Sequence, residues 1–154
     1  MKDFRGSLLI YLLAFIFAGI TPFVLLPILT RQLSPLQFGE AAAFLNFVAI
    51  LASAVGLSSN SFVAVRYFKT PGVQFKLLVT SVLVAVYVLH ATILLIFSPF
   101  YHHLILLLKL PIDYIVIAIG ASSVLCTNFI FLSIFQSSNQ PLRYLLLRFI
   151  QSFA

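Results

Sequence analysis

Residues 7–30 read SLLIYLLAFIFAGITPFVLLPILT and contain no charged side chain. At 1.5 Å of rise per residue, a helix of this length crosses the roughly 30 Å hydrocarbon core of a bilayer. Three further stretches lack Lys, Arg, Asp and Glu, namely residues 41–65, 77–108 and 114–142. Because lipid offers the backbone no water, segments of this length must be helical if they cross.

The composition of the whole chain indicates the same class. Hydrophobic residues make up 62% of the 154 residues and charged residues 8%, against about 25% in an ordinary soluble domain. One soluble core of this size cannot bury so much apolar surface. The sequence therefore predicts an all-α integral membrane protein. Its single cysteine, Cys126, excludes an internal disulfide.

The apolar stretches predict four membrane-spanning helices over about 7–29, 35–65, 77–97 and 113–135. Ser34 and Gln37 have the spacing of a capping box before the second of these. Residues 141–154 start another helix, too short to cross. We expect it to be the beginning of a fifth helix, so that 1–154 is a partial transmembrane domain and the chain is truncated. The alternative is an amphipathic helix lying flat on the membrane.

Small and polar residues recur at steps of four and three along the predicted second helix. This polar stripe consists of Ala42, Asn46, Ala49, Ser53, Gly56 and Asn60. Small residues let helices approach closely, and the two amides avoid lipid only by facing protein or water. The first interpretation is a tight helix–helix seam. The second is the wall of a polar central cavity.

Histidines are the next candidates. His90 lies well inside a predicted span, and we expect it to be neutral and hydrogen-bonded to a neighbouring helix rather than a proton relay. His102 and His103 are adjacent and lack a nearby cysteine or carboxylate, so an interfacial link is favoured over a metal site. A short apolar piece in that link, residues 104–108, is expected at the interface.

The carboxylates, Asp3, Glu40 and Asp113, all fall at predicted helix ends, away from mid-membrane. We find no Ser/His/Asp set, phosphate loop or metal motif, and expect no enzymatic activity, no cofactor and no nucleic-acid partner. The cations able to reach a cavity are Arg31, Arg66 and Arg148. Arginine binds phosphate oxygens with a bidentate fork, but each of these residues is equally suited to anchoring at the interface.

One block of sequence resembles a known family. Residues 26–35, LPILTRQLSP, followed by Phe38 and Gly39, resemble the first helical junction of bacterial O-antigen and polysaccharide flippases. These are the Wzx-type members of the multidrug/oligosaccharidyl-lipid/polysaccharide exporter superfamily. Arg66 after Gly56, and Arg143 leading into a fifth helix, fit their pattern too.

The resemblance implies a larger parent with about 12 to 14 helices in two bundles around a central cavity. This chain is then most of the N-terminal bundle, and the C-terminal bundle is its missing partner. The implied substrate is an undecaprenyl-pyrophosphate-linked oligosaccharide, an O-antigen or capsular repeat, moved across the bacterial inner membrane. The candidate substrate-binding residues are Arg66, Arg148, Asn46 and Asn60, with Arg31 a possible contact at the periplasmic end.

Two other functions remain open. A complete four-helix membrane scaffold or assembly subunit is one, and a drug or metabolite exporter of the same superfamily is the other. An open reading frame continuing with eight or more spans separates the flippase from the scaffold. A carboxylate in the missing bundle indicates the exporter.

Basic residues predict a cytoplasmic N-terminus. In that orientation the cytoplasmic segments carry Lys2, Arg5, Arg66, Lys69, Lys76 and Arg143, and the opposite side carries Arg31 and Lys109.

We therefore expect cysteines introduced at Gly72 and His103, with Cys126 replaced by alanine, to label differently. A membrane-impermeant reagent added outside should modify only the second, and the reverse labelling contradicts the orientation.

Overall fold

A computed structural model describes residues 2–100 and 112–153, and the side chains of 6–99 and 112–151. Within these ranges the chain is helical and contains no strand, which confirms the all-α prediction. The helices are α1 (Lys2–Gln32), α2 (Pro35–Gly56), α3 (Ser59–Tyr67), α4 (Gly72–Phe97), α5 (Ile112–Ser137) and α6 (Pro141–Phe153). A 3₁₀ turn, Ser98–Phe100, follows α4. Four of the described helices, α1, α2, α4 and α5, are long and apolar enough to cross a membrane.

The capping box predicted at the start of α2 is present. The Ser34 hydroxyl oxygen accepts the backbone N–H of Gln37 at 3.3 Å, and the Gln37 side-chain oxygen accepts the backbone N–H of Ser34 at 3.0 Å. Pro35 takes the first helical position, where its missing N–H costs nothing. These local interactions fix where the turn after α1 ends and α2 begins.

The prediction of one continuous helix over 35–65 is wrong. Leu57 and Ser58 have φ values of 43° and 56°, so the backbone is left-handed at both and the helix is divided into α2 and α3. That conformation costs roughly 1–2 kcal/mol for a residue with a side chain. After the break, the Ser133 hydroxyl of α5 donates to the Asn60 carbonyl at 2.7 Å and ties α3 to α5. The sequence carries a local sign of this break, because residues 56–61 read GLSSNS, and clusters of glycine, serine and asparagine favour turns and helix caps.

The central element is α5, which packs against α2, α3, α4 and α6. One buried cluster joins Ala52, Val63, Val86, Cys126 and Ile130, and so draws on α2, α3, α4 and α5 together. In the most apolar 18-residue segment of α5, 44% of the residues are buried, against 6% in that of α1. The core of this chain is therefore built around α5, and α1 lies outside it.

Helix α1 is held mainly by α6. The rings of Tyr11 and Tyr144 meet edge to face at 5.1 Å between centroids, and those of Phe17 and Phe149 at 6.3 Å. Ala14, fully buried, lies on α1 between these two contacts. Because the contacts advance in the same direction along both helices, α6 runs parallel to α1. This arrangement suits a helix entering the bundle and not one lying across the helix ends.

Several predicted basic residues gather at the C-terminal end of α5. The Tyr11 hydroxyl donates to the Phe135 carbonyl at 3.5 Å, which places the start of α1 there, and α3 packs along the same end. Arg66 lies in the last turn of α3 and Lys69 in the turn that follows, while Lys76 and Arg143 lie near the starts of α4 and α6. Which side of the membrane this end occupies remains a prediction. His102, His103, Lys109 and the expected interfacial piece 104–108 lie outside the described residues, as do the side chains of Lys2 and Arg5.

The parallel pairing of α1 and α6 can be tested by cross-linking. With Cys126 replaced by alanine, we expect a short bifunctional thiol reagent to join Phe17→Cys and Phe149→Cys in membranes, because the native rings meet at 6.3 Å between centroids. Phe23→Cys, on a face of α1 where the native side chain is 81% exposed, should not link to Phe149→Cys. Efficient linkage of the second pair, or none of the first, contradicts the parallel arrangement.

Candidate functional site

A cleft of about 450 Å³ separates α1 from α2. Its walls are residues 18–29 of α1 and 38–45 of α2, mostly leucine, alanine and proline, and α6 contributes Arg148 and Gln151. We call it the α1–α2 cleft. It combines apolar walls with one cation, which is the chemistry that an amphiphilic anion requires.

Arg148 is the notable residue of this cleft. Its guanidinium carbon lies 5.8 Å from the centroid of the Tyr144 ring, and Nη1 donates to Oε1 of Gln151 at 3.5 Å. Thr21, which also lines the cleft, is roughly 22 Å along α1 from Gly6, near the middle of that span. Arg148 precedes Phe149, which meets Phe17 within the same span, and the Arg148 side chain is half-buried. Charges at such a depth are costly and usually face a cavity or a partner.

A second cavity, of about 400 Å³, lies at the break between α2 and α3. We call it the polar hollow. Its polar lining is Ser53, Ser58, Ser59 and Asn60, and its apolar lining includes Leu125 and Phe129 of α5. The Ser59 hydroxyl donates to the Gly56 carbonyl. The side chains of the other three polar residues make no hydrogen bond to any residue that the structure describes.

A shallow groove runs along α2 and opens into the polar hollow. Asn46, Ala49 and Ser53 line it, and the last two also line the polar hollow, so the groove and the hollow are continuous. All three side chains are exposed, and no helix of the described chain covers them. The described helices therefore form no seam at these three residues, and packing of another helix there remains a prediction. The stripe does approach α5 at its C-terminal end, where a Cβ at Gly56 would lie 3.3 Å from Cys126 Sγ and the Asn60 carbonyl accepts the Ser133 hydroxyl.

Three of the five predicted site residues line cavities and two do not. Arg148 lines the α1–α2 cleft, while Asn46 lines the groove and Asn60 the polar hollow. Arg66 is exposed at the end of α3, with its guanidinium carbon 5.5 Å from the centroid of the Phe62 ring. Arg31 is exposed in the last turn of α1. Neither of these two arginines lines the cavities described above, and their predicted contacts with substrate remain untested.

Comparison of this chain with protein-family models, with curated proteins and with solved structures gives no match. The case for a function therefore depends on the residues and their geometry.

Sequence reasoning missed several residues of these cavities. Thr21 and Gln151 join Arg148 in the cleft, and Phe129 faces the polar hollow. The spacing of three between Arg148 and Gln151 was a usable signal, since such residues share a helix face. Nothing local marked Phe129, because its role comes from the approach of α5 to the helix break.

His90 differs from its prediction. Its side chain is buried, and Nδ1 donates to the Val86 carbonyl of its own helix at 2.8 Å, not to a neighbouring helix. Nε2 has no hydrogen-bond partner among the described residues. Within those residues, no group of three or more His, Cys, Asp or Glu side chains converges as metal ligands would.

The closeness of α2 and α5 at the polar hollow can be tested at Gly56. A Cβ atom there would lie 3.3 Å from Cys126 Sγ, tighter than ordinary contact. We expect Gly56→Val to overpack this contact and lower the free energy of unfolding by about 1–3 kcal/mol. The measurement is unfolding of the chain in mixed micelles.

Gly120→Val is the matched control, because a Cβ at Gly120 meets nothing within 4 Å. Equal stability losses for the two variants would show that helix propensity, and not the contact with Cys126, is responsible.

Proposed function

We propose that this chain is part of a flippase for an undecaprenyl-pyrophosphate-linked oligosaccharide in the bacterial inner membrane. The N-terminus is cytoplasmic in this proposal, and a second bundle completes the transporter. The observation that carries it is the position of Arg148, half-buried near the middle of the span and open to the α1–α2 cleft. The resemblance of residues 26–35 to polysaccharide flippases gives the substrate class.

The chemistry of the cleft supports a lipid-linked phosphate. A guanidinium at this depth is poorly solvated, so a phosphate that meets it forms strong, charge-assisted hydrogen bonds. Gln151 orients the guanidinium from one side and the Tyr144 ring supports it from another. The leucine-rich walls of α1 and α2 suit the hydrocarbon part of the same molecule. One cleft can thus contact both halves of an amphiphilic substrate.

In the same proposal, the polar face of α2 contacts the sugars of the substrate. Asn46 and Asn60 present amides that hydrogen-bond to sugar hydroxyls, and the groove between them leads along the helix. Rocking of the two bundles exposes this face to each side of the membrane in turn. The chain alone supplies only one wall of such a cavity, so we do not expect it to transport by itself.

The exposed part of the polar stripe also favours a second candidate, an assembly subunit. Ala49 and Ser53 are small and uncovered, as in surfaces on which another membrane helix docks. A bulky Ala49→Leu change should release such a partner helix, as measured by co-purification from membranes. An assembly subunit would not depend on the charge of Arg148, and this separates the two candidates.

The proposed function predicts a specific loss at Arg148. In the complete transporter, Arg148→Ala should abolish surface polysaccharide while the protein still inserts in normal amounts, because the phosphate loses its cationic partner. Arg148→Lys should retain part of the activity, since it keeps the charge without the fork. Polysaccharide on the cell surface and protein in the membrane fraction are the two measurements.

Arg143→Ala is the matched control. Arg143 is an exposed arginine in the first turn of the same helix, where Nη1 donates to Gln140 Oε1 at 2.8 Å. Its loss should leave polysaccharide unchanged. Normal polysaccharide in Arg148→Ala would remove Arg148 from the mechanism and the main support from the proposal.

A further inference from the structure

We propose that the polar hollow is a subsite for an uncharged sugar residue of the transported oligosaccharide. This inference rests on the proposed flippase function and deepens it, because it assigns a chemical class to the sugar held beside α2. Three features carry it: polar side chains without partners, a break in the helix, and an apolar wall opposite.

The unpartnered polar groups come first. Ser53, Ser58 and Asn60 line the hollow, and none of their side chains hydrogen-bonds to a described residue. Together they offer two hydroxyls and one amide, and each group both donates and accepts. Sugar hydroxyls also donate and accept, so this set matches a sugar without requiring a charge on either side.

The break in the helix adds backbone groups to the same place. The last carbonyls of a helix and the first N–H groups of the next lack partners within their own helices. The C-terminal end of α2 and the N-terminal end of α3 both border the hollow, and the Ser58 hydroxyl makes no capping bond. Irregular backbone within a membrane is tolerated where protein buries it or where it lines a water-filled cavity. The left-handed residues Leu57 and Ser58 thus lie where a polar ligand is accessible.

The opposite wall is apolar and comes from α5. Leu125 and Phe129 line the hollow across from the serines. A sugar ring has a face of C–H groups that packs on an aromatic ring, while its hydroxyls point outward at the edge. The volume of about 400 Å³ falls within the range of roughly 300–1,000 Å³ that small-molecule sites occupy.

The lining also excludes charge on the sugar. None of the described residues that line the hollow is an aspartate, glutamate, lysine or arginine. Arg66, on the following helix, lies over the Phe62 ring and is not part of the lining. A sugar carboxylate or phosphate placed here would lose water without gaining a cationic partner. The structure therefore assigns the hollow to a neutral sugar and the phosphate to Arg148.

The chain provides a clean test because it contains no tryptophan. Phe129→Trp places the only tryptophan at the hollow, and its emission reports a sugar stacked on it. The variant is studied in phospholipid bicelles, which add no tryptophan, because alkyl-glycoside detergents would present competing sugar headgroups. Methyl glucoside is titrated as the neutral probe, glucuronate as the charged sugar, and inorganic phosphate as the free anion.

We expect a saturable change of emission with methyl glucoside and none with glucuronate or phosphate. Adding Asn60→Leu or Ser53→Ala should each raise the dissociation constant for methyl glucoside about three- to tenfold, as expected for one lost hydrogen bond. Phe68→Trp, at an exposed residue between α3 and α4, is the control and should not respond.

Several results would overturn the inference. These are no response to methyl glucoside, an equal response to glucuronate, or the same response in the Phe68→Trp control. If Phe129→Trp does not fold, saturation-transfer NMR of the unmodified chain with methyl glucoside, compared with Asn60→Leu, decides the question. Absence of transfer, or equal transfer in both proteins, counts against it.

The result of the methyl glucoside test can be distinguished from the result of the Arg148→Ala test of the proposed function. If methyl glucoside fails to bind while Arg148→Ala still abolishes polysaccharide, only the sugar subsite is wrong. If methyl glucoside binds while Arg148→Ala leaves polysaccharide intact, the flippase proposal fails instead.

Discussion

The structure depends on apolar surface that the chain does not bury within itself. In the most apolar 18-residue segment of α1 only 6% of the residues are buried, and in that of the central helix α5 44% are. Lipid or further protein must cover the remainder, because water cannot solvate it without a large free-energy cost. Long helices follow, since they satisfy their backbone hydrogen bonds internally.

Against that background, the few polar groups indicate where the chain meets something other than lipid. Arg148 and Gln151 face the α1–α2 cleft, and Ser53, Ser58 and Asn60 face the polar hollow. The exposed groove along α2 opens into the hollow. A cation in one cavity and neutral hydrogen-bonding groups in the other suit the phosphate and the sugars of the proposed substrate.

Prediction from the sequence succeeded where the signal lay within a few neighbouring residues or in the total of apolar residues along a segment. The capping box at Ser34 needs only four residues, and the spans need only the sum of their apolar residues. It failed at Leu57 and Ser58, because the uncharged run over 41–65 was given more weight than the turn-forming residues 56–61, GLSSNS. Packing of α3 on α5 accompanies the break. It also failed at His90, whose hydrogen bond stays within its own helix.

The sequence by itself determined an all-helical chain with four long apolar helices. It also indicated five candidate site residues, Arg31, Arg66, Arg148, Asn46 and Asn60, without distinguishing among them. These are properties of composition and spacing, and they hold whatever the helices pack against. Only the tertiary structure decided that α6 lies along α1, that α5 is the core, and that Arg148 opens into a cleft while Arg66 does not. Such choices depend on contacts between residues far apart in the chain, which periodicity along one helix does not encode.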